Sequence, residues 1–439
     1  MMRILSSCLA VLFMALPVSA AVDIKEVKTP GGLTAWLVED HSIPFMALEI
    51  RFRGGASLDA PGKRGAINLM TGLLEEGAGD LDARAFARAV EGSAASIGFS
   101  VNDDALSVSA RFLTENRDEA VALLQAALQQ PRFDEEAIAR VRQQVLTGIA
   151  ADAKDPDELA GRAMDRIAFG DHPYATSLNG TAESVAALTR QDLVDAHAKV
   201  LARDRIYIGA VGDITEAELA TLLDDLLGPL PATGAPMPPV ADVDFPGGVT
   251  VVPFETPQSV ARFIQKGIAQ DHPDYFTAVV LNHVLGGGSF ESRLMDEVRA
   301  KRGLTYGVYS FLANKDLANL YAGSVSSAND RIAEAIEVIN DEWAKAAAEG
   351  VSAEEVQNAK TYLTGAYPLR FNGNGPIANI MVGMQMIDLP IDYIATRNER
   401  VEAVTLEGVK RVAGELLDPE GLHFIVVGEP TGLETTVAN

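Results

Sequence analysis

Arg299 and Tyr306 are the two side chains of this 439-residue sequence whose types and spacing best suit chemistry on a peptide. A guanidinium and a phenol aimed at one point can hold a carbonyl oxygen and the negative charge that grows on it during hydrolysis. Neither can activate water, so such a pair is at most half of a hydrolytic site. Leu294 and Val298 lie at helical i, i+4 spacing, Gly303 suits the left-handed position that closes a helix, and 304–310 reads as a strand. Arg299 and Tyr306 are thereby expected to converge where helix meets strand. Arg302, just before Gly303, fits a helix-end role better. A surface arginine and a tyrosine at the rim of the core give the same local pattern, so the surroundings decide.

Other chemistry is sparse. The six histidines are His41, His172, His197, His272, His283 and His423, and the closest two are eleven residues apart. A helix-borne zinc site needs two imidazoles one turn apart, so no structural or catalytic metal is expected. Cys8 is the only cysteine, and no G-x-S-x-G elbow occurs.

Met1-Met2-Arg3, the apolar run 4–16 and Val18-Ser19-Ala20 read as an export leader cleaved after Ala20. Only four residues precede Leu5, which leaves no room for the apolar region of a lipoprotein box ending at Cys8. A mature periplasmic chain is expected, without cysteine and therefore without disulfide, thiolate metal site or cysteine nucleophile. The net charge of −25 becomes −26 once Arg3 is lost. Such a surface repels nucleic acid and anionic lipid, and tolerates basic peptides or a basic partner.

The remaining length suits two domains. The segment 228–239 holds five prolines and no apolar period, and reads as a linker. The expected division is a leader at 1–20, an N-terminal domain at 21–228, a linker at 229–244 and a C-terminal domain at 245–439. The flanks match at an offset of 216: Pro30-Gly31-Gly32-Leu33 recurs as Pro246-Gly247-Gly248-Val249, Leu188-Thr189 as Val404-Thr405, and 208–213 as 424–429. Leu106, Val108, Ala110 and Phe112 alternate like a strand after the Asn102-Asp103-Asp104 turn, and Ile138, Val141, Val145 and Ile149 follow helical spacing. The expected fold class is α+β, with two homologous domains, each a mostly antiparallel sheet with helices on one face.

On these features the sequence resembles the pitrilysin/insulinase family of zinc peptidases, in its short bacterial two-domain form similar to mitochondrial processing peptidase subunits. The resemblance rests on Gly54-Gly55-Ala56-Ser57 through Gly62-Lys63-Arg64-Gly65, on Gly286-Gly287-Gly288 followed by Ser292-Arg293-Leu294, and on Arg299 through Tyr306. Active members carry H-x-x-E-H on a helix, two zinc ligands flanking the base that activates water, and a distant glutamate completes the site. Here those positions hold Asn68, Thr71 and Gly72, and the distant one falls near Gly148. No histidine lies between His41 and His172, so Glu75 and Glu76 have no imidazoles to work with.

The resemblance implies a non-zinc subunit of a heterodimer. A homologous H-x-x-E-H partner would supply zinc and base, while this chain needs no cofactor and contributes Arg299 and Tyr306 in trans to bind substrate carbonyl and oxyanion. Family members bind peptides as an added strand on a sheet edge. The loop 371–376 is a candidate border of the cavity. The alternative is a stand-alone peptide-binding or assembly protein that kept the fold and lost catalysis.

Overall fold

The computed structural model describes residues 23–288 and 290–437. The leader, Cys8 and the cleavage position after Ala20 lie outside the described residues. Each half of the chain builds one sheet. The first is made of β1 (Lys25–Lys28), β2 (Thr34–Glu39), β3 (Phe45–Arg53), β6 (Ser96–Val101), β7 (Ala105–Leu113) and β8 (Ile206–Gly212), with a small hairpin, β4 (Gly77–Ala78) and β5 (Leu81–Asp82), beside it. Strand order is β1-β2-β8-β3-β7-β6, antiparallel except where β2 meets β8. The second sheet holds β9 (Gly248–Pro253), β10 (Gln258–Lys266), β11 (Val308–Lys315), β12 (Ala318–Ala328) and β13 (His423–Gly428), in the order β11-β12-β10-β13-β9, with β9 and β13 parallel.

Alternation decides the faces. Met46, Leu48, Ile50 and Phe52 of β3 and Leu106, Val108, Ala110 and Phe112 of β7 are buried on one side of the first sheet, while Glu49, Arg51 and Arg53 point to the other. The apolar side is covered by helices of the same half, among them α1 (Ala66–Leu73), α2 (Ala83–Gly92), α3 (Arg117–Gln129) and α4 (Glu135–Asp152). After α5 (Pro156–Phe169) and α6 (Ala182–Ala187), α7 (Arg190–Val200) and α8 (Glu216–Leu227) complete that layer. The second half repeats the plan with α9 (Tyr275–Leu285), α10 (Ile332–Glu349), α11 (Ala353–Ala366), α13 (Tyr393–Glu402) and α14 (Leu406–Leu416), while α12 (Asn374–Met386) leaves this layer.

The offset of 216 holds at α7 and α14, whose N-caps Thr189 and Thr405 accept hydrogen bonds from the Asp192 and Gly408 amides. In the middle of the unit it does not hold: it is 213 between the starts of β3 and β10 and 209 between those of α1 and α9. Loops of different length absorb the change.

Each half lays its own helix layer on one face of its sheet, as expected, and the second face of each sheet is covered by a helix from the other half. Helix α12 crosses the outer face of the first sheet and buries Ala378, Met381 and Met384 against Trp36, Ala47 and Val211. Helix α5 does the converse, packing Ala168 and Phe169 against Ile264, Leu320 and Ile425 of the second sheet. The two halves have exchanged equivalent helices. The β11–β12 hairpin adds a third tie: Lys315 pairs with Asp103 at 3.2 Å and lies 4.2 Å from the Tyr174 ring, Asp316 pairs with Arg53 at 2.7 Å, and the Leu317 amide donates to the Tyr174 hydroxyl at 3.2 Å.

The proline-rich stretch after α8 has no regular structure, yet it is strapped down, with the Ala235 amide bonded to Lys199 O and the Ala241 amide to Leu317 O. A cleft of about 990 Å³ lies between the halves, lined by Arg51, Arg53, Asp104, Lys315, Asp316 and Arg400 among others. The loop expected at 371–376 is shorter than its sequence suggests. Asn374, Gly375 and Pro376 form the first turn of α12, with Gly375 against Arg111, and none of them lines the cleft.

Candidate functional site

Helix α1 begins after Gly65, whose φ of 96° only glycine adopts readily, and Asp59 accepts from the amides of Gly65 and Ile67 at its start. On this helix Thr71 is buried and its hydroxyl returns to Ile67 O at 2.8 Å. Gly72 lies so near α4 that an added Cβ would stand 3.2 Å from Val141. Asn68 donates to Asn179 at 3.0 Å, and Asn179 reaches Asp152, which Arg162 pairs at 2.9 Å. Gly148 sits in α4 with open space around it. Amides, an aspartate and a guanidinium thus stand where the resemblance puts a metal, and among the described residues no three His, Cys, Asp or Glu side chains converge. Such a set does not fit zinc.

The histidines are spent individually. His41 pairs with Asp213 at 2.7 Å, His172 meets Pro239 O, and His197 meets Leu128 O. His272 accepts from the Asp274 amide, His283 stacks on Tyr362 at 4.8 Å, and His423 binds Gly247 O and Thr250. Burial holds His197, His283 and His423 below the ordinary imidazole range.

Arg299 lies on a π-helical turn, Met295–Lys301, anchored by buried Leu294 and Val298 and followed by Gly303 at φ 60°. Its guanidinium is 4.8 Å from the Phe290 ring, and no carboxylate pairs with it among the described residues. Tyr306 is 89% exposed in the loop before β11. The strand expected from 304 starts only at Val308, because Thr305 turns its hydroxyl into the local backbone, to Gly307 O and Ser326 O. No hydrogen bond or ring contact joins Arg299 to Tyr306, and neither lines the large cleft. A smaller pocket of about 320 Å³, lined by His283, Phe290, Glu291, Glu355 and Tyr362, meets Arg299 through the shared Phe290. Arg302 serves the helix end, bonding Glu297 O at 2.9 Å.

One candidate binding feature is not located by the sequence reading. Asn102 N–H bonds Ala105 O, which sets the phase of the β6–β7 ladder so that Ile97, Phe99 and Val101 turn their amides outward from β6. Phe99 N–H is taken by the Glu75 carboxylate at 3.1 Å, while Ile97 and Val101 N–H have no partner among the described residues. The outer face there carries Ser96, Gly98 and Ser100, and nothing lies within 4 Å of the position a Gly98 side chain would take. The edge runs beside α1, the helix that carries Asn68, Thr71 and Gly72.

A family model described as Insulinase (Peptidase family M16) matches residues 35–182, and one described as Peptidase M16 inactive domain matches 187–363. This chain belongs to the M16 peptidase family. It is a member without the family's metal-binding and base side chains. The second match starts ahead of β8, inside the first sheet, so its boundary is not the structural one. A Helicobacter pylori protein called "Non-peptidase homolog YmxG" is 26% identical over 430 residues, covering 97% of this M16 chain and 98% of that protein. A Bacillus subtilis "Uncharacterized zinc protease YmxG" is 22% identical, covering 93% and 99%. The solved peptidase M16 inactive domain from Pseudomonas fluorescens has a TM-score of 0.87 at 27% identity, over 95% of this chain and all of that one. A Helicobacter pylori protease structure, at 15% identity and a TM-score of 0.82, shares the fold.

Proposed function

We propose that this M16 chain is the non-zinc, substrate-binding subunit of an exported, periplasmic metalloendopeptidase, working with a homologous partner that carries H-x-x-E-H and zinc. The observation that carries the reading is the contrast between the two walls. The metal positions Asn68, Thr71, Gly72 and Gly148 hold no ligand set, while Tyr306 stands 89% exposed and Arg299 lacks a carboxylate partner among the described residues. An exposed phenol and an uncommitted guanidinium are suited to groups that another molecule brings.

Tyr306 would donate to the scissile carbonyl as the oxyanion forms, and Arg299 would anchor a neighbouring carbonyl or carboxylate. The peptide would lie as an added strand against β6, where the Ile97 and Val101 amides await acceptors and Gly98 allows close approach. The acidic surface favours basic peptides. Export rests on the leader read in 1–20.

The test mixes this chain with its zinc partner, identified by co-purification from the native periplasm, and follows peptide turnover. Tyr306→Phe and Arg299→Ala are each expected to lower kcat, by an amount equivalent to about 3 kcal/mol for loss of one oxyanion donor. Unchanged turnover in both variants removes the shared-site reading and leaves a peptide-binding or assembly protein with the same fold.

A further inference from the structure

We propose that Glu75 is a swinging guard on the β6 edge, which an incoming peptide strand must displace and which then selects for basic residues in that strand. The proposal rests on the reading that peptides add to β6. It starts from a comparison of the four sheet edges. Strand β1 is four residues long and reads Lys-Glu-Val-Lys, a charged edge that discourages pairing. The β9 edge is covered by the C-terminal tail, where Thr436 and Thr435 hydroxyls accept from the Val249 and Val251 amides. On β11 the Ser310 amide is bonded to the Gly286 carbonyl at 2.9 Å, a backbone group fixed at the end of α9. On β6 the corresponding amide, Phe99, is bonded to a side chain just past the end of α1. The same device closes both inner edges, but only in the first half can it rotate away.

Glu75 is also free to move in charge terms. Its neighbour Glu76 is paired with Arg140, whereas Glu75 is exposed and has no cation within ion-pair distance among the described residues. An added strand would present a carbonyl to Phe99 N–H, and the hydrogen bond passes from carboxylate to carbonyl with no net change in number. The released carboxylate then stands beside the new strand. A lysine or arginine there gives it a partner, a neutral residue leaves it in water, and a glutamate repels it.

Hydrogen exchange resolved to single amides, together with titration of fluorescein-labelled unstructured decapeptides bearing Lys, Ala or Glu at the centre, separates the possibilities. The wild-type chain should protect the Phe99 amide more than Ile97 or Val101 before any peptide is added, and peptide should then protect Ile97 and Val101. Glu75→Ala should expose the Phe99 amide, tighten the Ala peptide by about 2- to 12-fold, the worth of one hydrogen bond, and reduce the preference for Lys over Glu to the part set by the acidic surface as a whole. Glu75→Gln keeps an acceptor for Phe99 but no charge, so it should retain Phe99 protection while reducing the Lys preference as Glu75→Ala does. If peptides protect Ile97 and Val101 yet both Glu75 variants bind all three peptides as the wild type does, the guard is overturned and strand addition stands. If peptides leave Ile97 and Val101 exchange unchanged, strand addition itself is overturned and the guard with it.

Discussion

Single residues carry both the clearest and the least legible information in this chain. Once the family resemblance puts the metal at Asn68, Thr71, Gly72 and Gly148, residue type shows that an amide, a hydroxyl and two glycines do not make a zinc ligand set. Glu75 could not be read that way, because its role depends on which Phe99 amide direction the β6–β7 register selects. Asp165 is a further case that only packing reveals. It sits on α5, where burial pushes its carboxyl up to about 6, opposed by Lys315 and Arg262 and reinforced by Asp103 and Glu158. A carboxyl with a folded-state pKa above its unfolded value penalises the fold when ionised. That penalty is present above pH 6, fades as the pH falls through 6, and vanishes below the unfolded value near 4. Asp165→Asn is therefore expected to stabilise the protein by on the order of 1–3 kcal/mol at pH 7.5, and to lose that advantage between pH 6 and 4. Urea unfolding at both ends of the range measures it, and a variant no more stable than wild type at pH 7.5 contradicts the assignment.

At the scale of elements, periodicity served well where a strand or helix packs within its own half. The alternation of β7, the helix over 135–152 and the Asn102 turn all stand where the pattern puts them. It failed where a distant segment decides the outcome. The apolar residues of α12 indicate that the helix has a buried face, but not that the face covers the sheet of the other half, because a period of 3.6 carries no address. The close approach there depends on Gly209 in β8: a Cβ at that position would lie 2.6 Å from Ala378 O and 2.9 Å from Val382. Backbone cannot yield as a flexible side chain can, so Gly209→Ala is expected to push α12 off the sheet and cost about 1–3 kcal/mol. Loss of protection at α12 amides in hydrogen exchange, beyond the global change, would locate the effect. A variant with wild-type Tm and unaltered α12 exchange would show that the helix is not held by this contact.

For the whole molecule, the exchanged helices set the cooperativity. Two domains joined by a proline-rich linker ordinarily unfold separately when their shared surface is small and polar. Here each half lacks part of its own cover: without α12 the first sheet bares Trp36, Ala47 and Val211, and without α5 the second bares Ile264, Leu320 and Ile425. Three ties across the linker, two helices and the hairpin with Lys315 and Asp316, make opening of the cleft equivalent to stripping apolar surface from both sheets. Heat and urea are accordingly expected to unfold residues 23–437 in one transition seen alike by Trp36 and Trp343 fluorescence and by circular dichroism, with Trp36 reporting the first half and Trp343 the core of the second. Residues 23–228 produced alone should be unstable or aggregate, and should recover solubility when the other half is supplied in trans. Two separated transitions, each followed by one tryptophan, with a well-folded isolated first half, would contradict the interlock. A chain built this way resists parting its halves, so the peptide sites proposed above, the β6 edge and the exposed Tyr306, are ones that need no opening of the molecule.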